Sequence, residues 1–317
     1  MNTTTDTSPL RVLVMGPSTY WVELVARMLV WQGHHSEVFQ PKGRLQLTKW
    51  LLSGRWRRYD VIYHVGGPST DWPANLVISL VGKPVVWHWI GSDVLRYIKQ
   101  LQVLNWRERI MVFLARTSKI HLSDSPELAE ELQTLGIQAK MIRLLPEKID
   151  VEMVPLPETV TVLSYWSDGH KLFYGGDIVL QLAQDFPEIE FIILGATQDD
   201  TPEPNNVKFL GRLEDIEPVY ARSSVLIRLP AHDSLSAMVL EMLARGRYII
   251  YNKPLPHCHL AHDYATAKKA LTEIIQKKSP NRNGALYVRE NFSPTRQADL
   301  ISQLCCRLPY RKPNVIS

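Results

Sequence analysis

RVLVMGPSTYWVELVARMLVWQGHHSEVF, residues 11–39, is the stretch whose reading decides the fold. It runs as a short apolar segment, a Gly-Pro-Ser loop, an amphipathic helical pattern, a glycine stop and a second β-rich segment. That is a βαβ opening. Downstream, YDVIYHVGG, KPVVWHWIGSDV and SKIHLSDSPELAEELQTLGI repeat the order of apolar strand, small or polar turn and helical pattern. Units of this kind specify a parallel sheet with helices on both faces. The pattern breaks at residues 146–160, PEKIDVEMVPLPETV, where three prolines interrupt any helical period and a linker is expected. A second series follows: VTVLSYW, a helix near GGDIVLQLAQDF, the strands EFIILG, VKFLG and SVLIRLP, a helix near SLSAMVLEMLARG, and the strand YIIYN.

Length agrees with two cores. The 317 residues are too many for one ordinary domain and suit two of about 150 residues each. The expected division is residues 1–150 and 151–317, with a last helix near PTRQADLISQLCCRL that either stays with the second domain or crosses back to the first. A hydrophobic share of 45% and a charged share of 21% are globular values. No apolar run approaches the ~20 residues that span a bilayer, and the polar start lacks the order of a signal peptide, so a cytoplasmic protein is expected. Cys258, Cys305 and Cys306 make neither a disulfide framework nor a zinc site.

The net charge of +4 is unevenly placed. Residues 1–150 carry 18 Lys/Arg against 13 Asp/Glu, a net +5, and the remainder carries 18 against 19, a net −1. The excess concentrates at residues 47–60 and 95–116, which also carry Trp and Leu. Such segments either rest on an anionic membrane surface or are ordinary helices with a solvated basic face.

Two successive doubly wound sheets direct attention to the loops after their strands, where open α/β sheets bind ligands. The richest of these lies in LIRLPAHDSLSAMVLEMLARGRYIIY, residues 226–251. Asp233 follows a strand, the amides of Ser234, Leu235 and Ser236 are expected to open a helix, and Glu241 comes after seven intervening residues. Free amides and a helix dipole favour a bound phosphate or carboxylate, and Glu241 is placed to accept hydrogen bonds from a ribose diol. The plainer alternative is an N-capping Asp233 with a surface Glu241. Gly16 ends the first strand, where a missing side chain lets backbone approach a phosphate. That loop is not GxGxxG and no acidic residue ends the second strand, so a dinucleotide site lacks its main supports. His64 and His88 follow strands and either handle an acceptor hydroxyl or are packed histidines bonded to backbone. Asp93 is either part of that site or a helix start.

Residues 226–251 resemble the acidic-x7-acidic signature of the family 4 glycosyltransferases, EGFG…LEAMAxG, with Asp233 in place of the first Glu and Ser234 in place of the glycine. GPSTYW…LVWQGHHSEVF, HWIGSDV, HLSDSPELAEELQTLGI and FLGRLEDIEPVYARSSVLI are similar to further segments of that family, in the family's order. The resemblance implies the GT-B fold, two Rossmann-like domains facing one cleft. It implies a retaining transfer of a sugar from a nucleotide-diphosphate donor to a hydroxyl acceptor; no cluster of His, Asp and Cys stands at ligand spacing, so a metal-independent reaction is expected, with no cofactor and no nucleic-acid partner. The acceptor would be held by the first domain, a lipid-linked or polysaccharide intermediate at the inner face of a membrane being one candidate. Glu241 would contact the ribose, Asp233 the sugar hydroxyls, and Gly211 and Arg212 fall in the stretch carrying the base-contacting loop. The family's GR…KG pair, which binds the donor diphosphate, is missing: the segment reads SYWSDGHKLFYGGD and Gly175 stands where Lys is expected. A leaving diphosphate needs positive charge, and Lys171 is the candidate, with His170 and Arg228 as helpers. Two rivals remain at this stage, a catalytically silent binding protein and a sugar-nucleotide epimerase on the same fold.

Overall fold

A computed structural model of the chain describes residues 8–67, 83–99, 106–117, 120–197 and 203–308. The polar start at residues 1–7 and residues 100–105 of the second basic segment lie outside these. The chain divides into two compact units, residues 1–145 with 294–317, and residues 146–293.

The first unit is a parallel sheet of β1 (Arg11–Met15), β2 (His35–Phe39), β3 (Val61–Val65), β4 (Val85–Trp89), β5 (Ile120–Ser123) and β6 (Lys140–Met141), in the order β2-β1-β3-β4-β5-β6. All residues of β3 and β4 are buried, the pattern of central strands covered on both faces. The helix Thr19–Trp31 forms because Val22, Val25, Met28 and Leu29 recur on one side and sink into the sheet. It stops at Gly33, whose φ of +81° allows a Schellman closure: Gly33 N–H donates to Val30 C=O at 3.0 Å and His34 N–H to Leu29 C=O at 3.0 Å. The last helix, Pro294–Cys306, joins this unit by burying Ala298, Ile301 and Cys305 in the same core as Val12, Val14 and Leu29. It is pinned further by a 2.8 Å hydrogen bond between Ser302 Oγ and His34 Nε2, and by Leu145 N–H donating to Gln297 Oε1 at 3.0 Å.

The second unit holds β7 (Thr161–Tyr165), β8 (Glu190–Leu194), β9 (Val207–Gly211), β10 (Val225–Arg228), β11 (Tyr248–Tyr251) and β12 (His259–Leu260), in the order β12-β11-β10-β7-β8-β9. All pairings are parallel. The Pro-rich stretch belongs to this unit and is fastened to it by two buried arginines. Arg245 Nη1 donates to Lys148 C=O at 3.0 Å and Arg247 Nη1 to Pro155 C=O at 2.7 Å. In each unit the chain works outward in one direction and then resumes on the other side of its first strand. Those reversals, β1/β3 and β7/β10, are the switch points beside which such sheets take ligands.

Trp50 and Trp56 of the first basic segment are 8% and 4% exposed and lie in the core with Leu47 and Tyr59. They cannot insert into a membrane, which corrects that part of the sequence reading. Trp106, by contrast, is 61% exposed, and with Ile110 and Phe113 it forms a stripe at helical spacing on Trp106–Thr117. No helix among the described residues is long and apolar enough to cross a membrane.

Candidate functional site

At the β7/β10 switch point the last residues of the two strands meet. Arg228, at the end of β10, donates from Nε and Nη2 to Asp233 Oδ2 at 3.3 and 3.1 Å. Its guanidinium lies over the rings of Tyr165 (5.3 Å) and Tyr174 (4.8 Å), so aromatic faces and one carboxylate fix it. Nη1 is buried with no hydrogen-bond partner among the described residues. A buried cationic donor left unmatched is costly unless an anion completes it. Beside it, Lys253 Nζ donates to the Asp233 carbonyl, and Tyr251 OH donates to Ser234 C=O at 3.1 Å. Burial and the nearby Asp233 charge raise the Tyr251 phenol well above its usual range, so it stays a neutral donor.

The turn after β7 encloses a cavity of about 520 Å³ with Trp166, Phe173 and Phe209 among its walls. Lys171 lines it, its Nζ 3.6 Å from the largely buried Glu203. Asp168 Oδ1 accepts from Thr197 N–H at 2.8 Å and braces the turn against the segment after β8. His170 is exposed and its Nδ1 lies 2.9 Å from Asp168 C=O. Gly175 has φ +71°, and a Cβ there would sit 2.8 Å from Leu229 Cβ and 3.0 Å from Leu229 C=O. The missing lysine thus has a physical reason: this backbone admits only glycine. A Cβ on Gly176 would sit 2.6 Å from Lys171 Cγ, so the missing side chain makes room for the Lys171 stem.

The helix after β10 runs from Ala237 to Ala244 with Ser236 at its N-cap, three residues later than the sequence pattern suggests. The amides of Ser234, Leu235 and Ser236 are therefore in the approach to the helix and not in its first turn. The Ser236 N–H lies 3.5 Å from Tyr251 OH. Asp233 is no N-cap but the partner of Arg228. Glu241 is 5% exposed, and Tyr220 OH donates to its Oε2 at 2.7 Å. Burial raises the Glu241 carboxyl above the ordinary range, against the lowering pull of Tyr220 and Arg245. Gly211 takes φ +60° at the end of β9, and Arg212 is exposed after it.

The first unit departs more from the sequence reading. A Cβ on Gly16 would meet Val65 C=O at 2.1 Å, so close packing of β1 on β3 accounts for this glycine without a phosphate. His88 is fully buried, with Nδ1 2.6 Å from Tyr63 OH and Nε2 2.8 Å from Ile142 C=O. Nε2 must donate to the carbonyl, so Nδ1 accepts from Tyr63, and no ring nitrogen is left to deprotonate an acceptor. Burial pushes its pKa down to about 3. The catalytic role suggested for His88 is therefore corrected to a packing role. His64 is also fully buried, its Nδ1 3.0 Å from Gly66 C=O and its ring 4.8 Å from Trp87. Asp93 accepts from Gly91 N–H at 2.8 Å and from Ile90 N–H at 3.2 Å, and burial raises it to about 6. Cys258 and Cys305 are pushed up to about 12 by burial, which leaves them as thiols.

Comparison with solved structures extends over almost the whole chain. HepE of Anabaena, crystallised with UDP and glucose, superposes with a TM-score of 0.72 over 94% of this chain and 100% of its own, at 15% identity. Sucrose-phosphate synthase from Thermosynechococcus elongatus gives 0.73 over 93% and 98%, at 12% identity. The fold is GT-B. UDP-GlcNAc 2-epimerase from Neisseria meningitidis, bound to UDP-GlcNAc, superposes more loosely, at 0.55 over 92% and 98% with 15% identity. At the level of sequence, no family model and no curated protein matches the chain.

Within this GT-B chain the sequence reading overlooked Tyr165, Tyr174 and Lys253, which surround Arg228 and Asp233. Two aromatics, at the end of one strand and in the following turn, were visible signals, since rings near a strand-end arginine can hold its guanidinium. Tyr220 was also overlooked, and only the buried Val219–Tyr220 side of Glu217–Arg222 would have pointed to it. Among the described residues no group of three or more His, Cys, Asp or Glu side chains could hold a metal ion.

Proposed function

We propose that the chain is a glycosyltransferase that moves a sugar from a nucleotide-diphosphate donor to a hydroxyl acceptor, with retention of configuration and the donor held by the second unit. The observation that carries this is Arg228, a buried guanidinium with one uncommitted amino group at the switch point of a GT-B sheet. In this reading Nη1 of Arg228 and Nζ of Lys171 face the diphosphate and stabilise its charge as the bond to the sugar breaks. Glu241, whose Oε2 is held by Tyr220, offers its other oxygen to a ribose hydroxyl. Asp233 binds sugar hydroxyls with the oxygen that Arg228 leaves, and Gly211 and Arg212 lie along the base. The departing phosphate takes the proton of the acceptor hydroxyl, so no carboxylate pair and no histidine base is needed. Positive charge comes from side chains, and the reaction is metal-independent.

The acceptor side is assigned to the first unit, with its 21 Lys/Arg against 12 Asp/Glu, a net +9, and the exposed Trp106, Ile110 and Phe113 stripe. A lipid-linked acceptor at an anionic membrane fits that surface. A second reading, a catalytically silent binding protein, is favoured by one observation, the glycine-only position 175 where the family places a lysine. Incubation with a panel of nucleotide sugars decides among the readings. Release of nucleoside diphosphate with transfer or hydrolysis of the sugar supports transferase activity. Binding without turnover supports the silent protein, and conversion of the sugar without its release supports an epimerase.

A further inference from the structure

The first unit contains a second cavity, of about 310 Å³, between the last helix and the sheet edge. Ile120 and Lys140 are the first residues of β5 and β6, so this cavity opens at the amino ends of the strands. The cavity shares no residue with the site around Arg228, which belongs to the other unit. The cavity's apolar surface comes from Ile120, Leu304 and the exposed Leu300, and its polar lining residues Gln138, Lys140, Gln303 and Arg307 are exposed, so it is open to solvent. The ring of His121 adds a neutral wall. Trp89 Nε1 donates to its Nδ1 at 3.2 Å, its Nε2 donates to Ala115 C=O at 2.8 Å, and burial pushes its pKa down to about 4.

The rim is cationic. Lys140 and Arg307 line the cavity, and neither has an ion-pair partner among the described residues. Among the described residues no carboxylate lines it; the last helix carries Asp299, which lies 3.5 Å from the Gln303 amide. Two like charges beside one apolar surface repel each other and lose hydration if that surface is covered by a neutral molecule. An anion between them removes both penalties, and the amides of Gln138 and Gln303, also in the lining, can donate to its oxygens. The volume is at the lower end of the range for small-molecule pockets, which limits the apolar part to a short chain or one ring system. The helix that supplies Leu300, Gln303 and Leu304 is tied to the rest of the unit by Ser302 and Gln297, which bond to His34 and Leu145.

We propose that this cavity binds a small anionic amphiphile, a carboxylate or phosphate head held by Lys140 and Arg307 with a short apolar body on Ile120, Leu300 and Leu304. The site is independent of the donor site and of the transferase reading. The test is calorimetric titration of the full chain with decanoate below its micelle threshold, with decanol as the apolar control and inorganic phosphate as the charge control. Expected is saturable binding of one decanoate, with decanol and phosphate each at least about tenfold weaker. The double variant Lys140→Gln/Arg307→Gln should lose about tenfold or more in decanoate affinity at an unchanged thermal midpoint, whereas decanol binding stays as it was. Decanoate should still bind when a nucleoside diphosphate is present. Decanol binding as tightly as decanoate, undiminished decanoate affinity in the double variant, or displacement of decanoate by the nucleotide would each overturn the proposal.

Discussion

Arg228→Met separates what the Arg228–Asp233 pair does for the fold from what Arg228 does for a ligand. The pair is mostly dry, with side-chain exposures of 10% and 18%. Removing one partner of a fully buried pair costs about 3–5 kcal/mol, and the remaining water contact reduces that to roughly 2–3 kcal/mol. Two lost ring contacts, at 5.3 and 4.8 Å, add about 0.5–1 kcal/mol each. The single variant should therefore be less stable by roughly 3–5 kcal/mol. Asp233→Asn in the same chain removes the stranded charge and should restore most of the pair's share. Nucleotide binding should not return. Loss of a charged hydrogen bond to the diphosphate weakens it by about 1.5–3 kcal/mol, some 10- to 150-fold in Kd. The assays are urea denaturation for stability and calorimetry with UDP, GDP and ADP for binding. Nucleoside diphosphates are used without a sugar because Asp233 is assigned to the sugar. If the double variant regains both stability and wild-type nucleotide affinity, Arg228 acts only through Asp233, and the assignment of Nη1 to the diphosphate is wrong.

Gly175→Ala should destabilise the second unit by about 1–3 kcal/mol, since it combines a positive φ with a Cβ 2.8 Å from Leu229; an unchanged denaturation midpoint would contradict the reason given for the missing lysine. His88 is held neutral with a folded pKa of about 3 against 6.5 unfolded, so its contribution is complete above pH 6.5 and is lost as pH falls toward 3. That loss is on the order of 3–5 kcal/mol, and His88→Asn should flatten the slope of stability against pH in this window. Sugar transfer should persist in excess chelator; activity abolished by it and restored by magnesium or manganese would remove the side-chain account of charge stabilisation. Co-sedimentation with anionic vesicles should be weak, salt-sensitive and reduced in Trp106→Ser/Phe113→Ser, and equal recovery on neutral and anionic vesicles would leave a soluble acceptor as the better assignment.

The two sheets were legible because parallel strands buried on both faces read as near-continuous apolar runs, as at Val61–Val65 and Val85–Trp89, each broken by one histidine, and because Gly33 marks the end of the first helix by its backbone requirement. Side-chain placement was legible only where chemistry and position coincide. Asp233 and Arg228 stand beside a strand end and do meet. His88 also stands near a strand end, but the partners that consume its two nitrogens, Tyr63 and Ile142, lie 25 and 54 residues away in the chain. Nothing local reveals such partners. The same holds for Gly16, whose reason is a carbonyl on another strand, and for Trp50 and Trp56, whose neighbouring arginines suggested a surface while packing with Leu47 and Tyr59 buried them. The start of the helix at Ala237 was misread because Asp233 and Ser234 are good capping residues, yet Arg228 and Tyr251 hold them in the preceding turn.

The central claim is that the second unit holds a nucleotide-diphosphate sugar, and a thermal-shift screen of the full chain against nucleoside diphosphates and their sugars tests it most directly. A ligand that binds only the folded state at about 100 times its Kd stabilises it by about 2.7 kcal/mol. The account predicts a clear upward shift with one nucleotide base and its sugars, reduced by about half or more in Arg228→Met/Asp233→Asn. No shift with any nucleotide, from a chain that melts cooperatively, would contradict it.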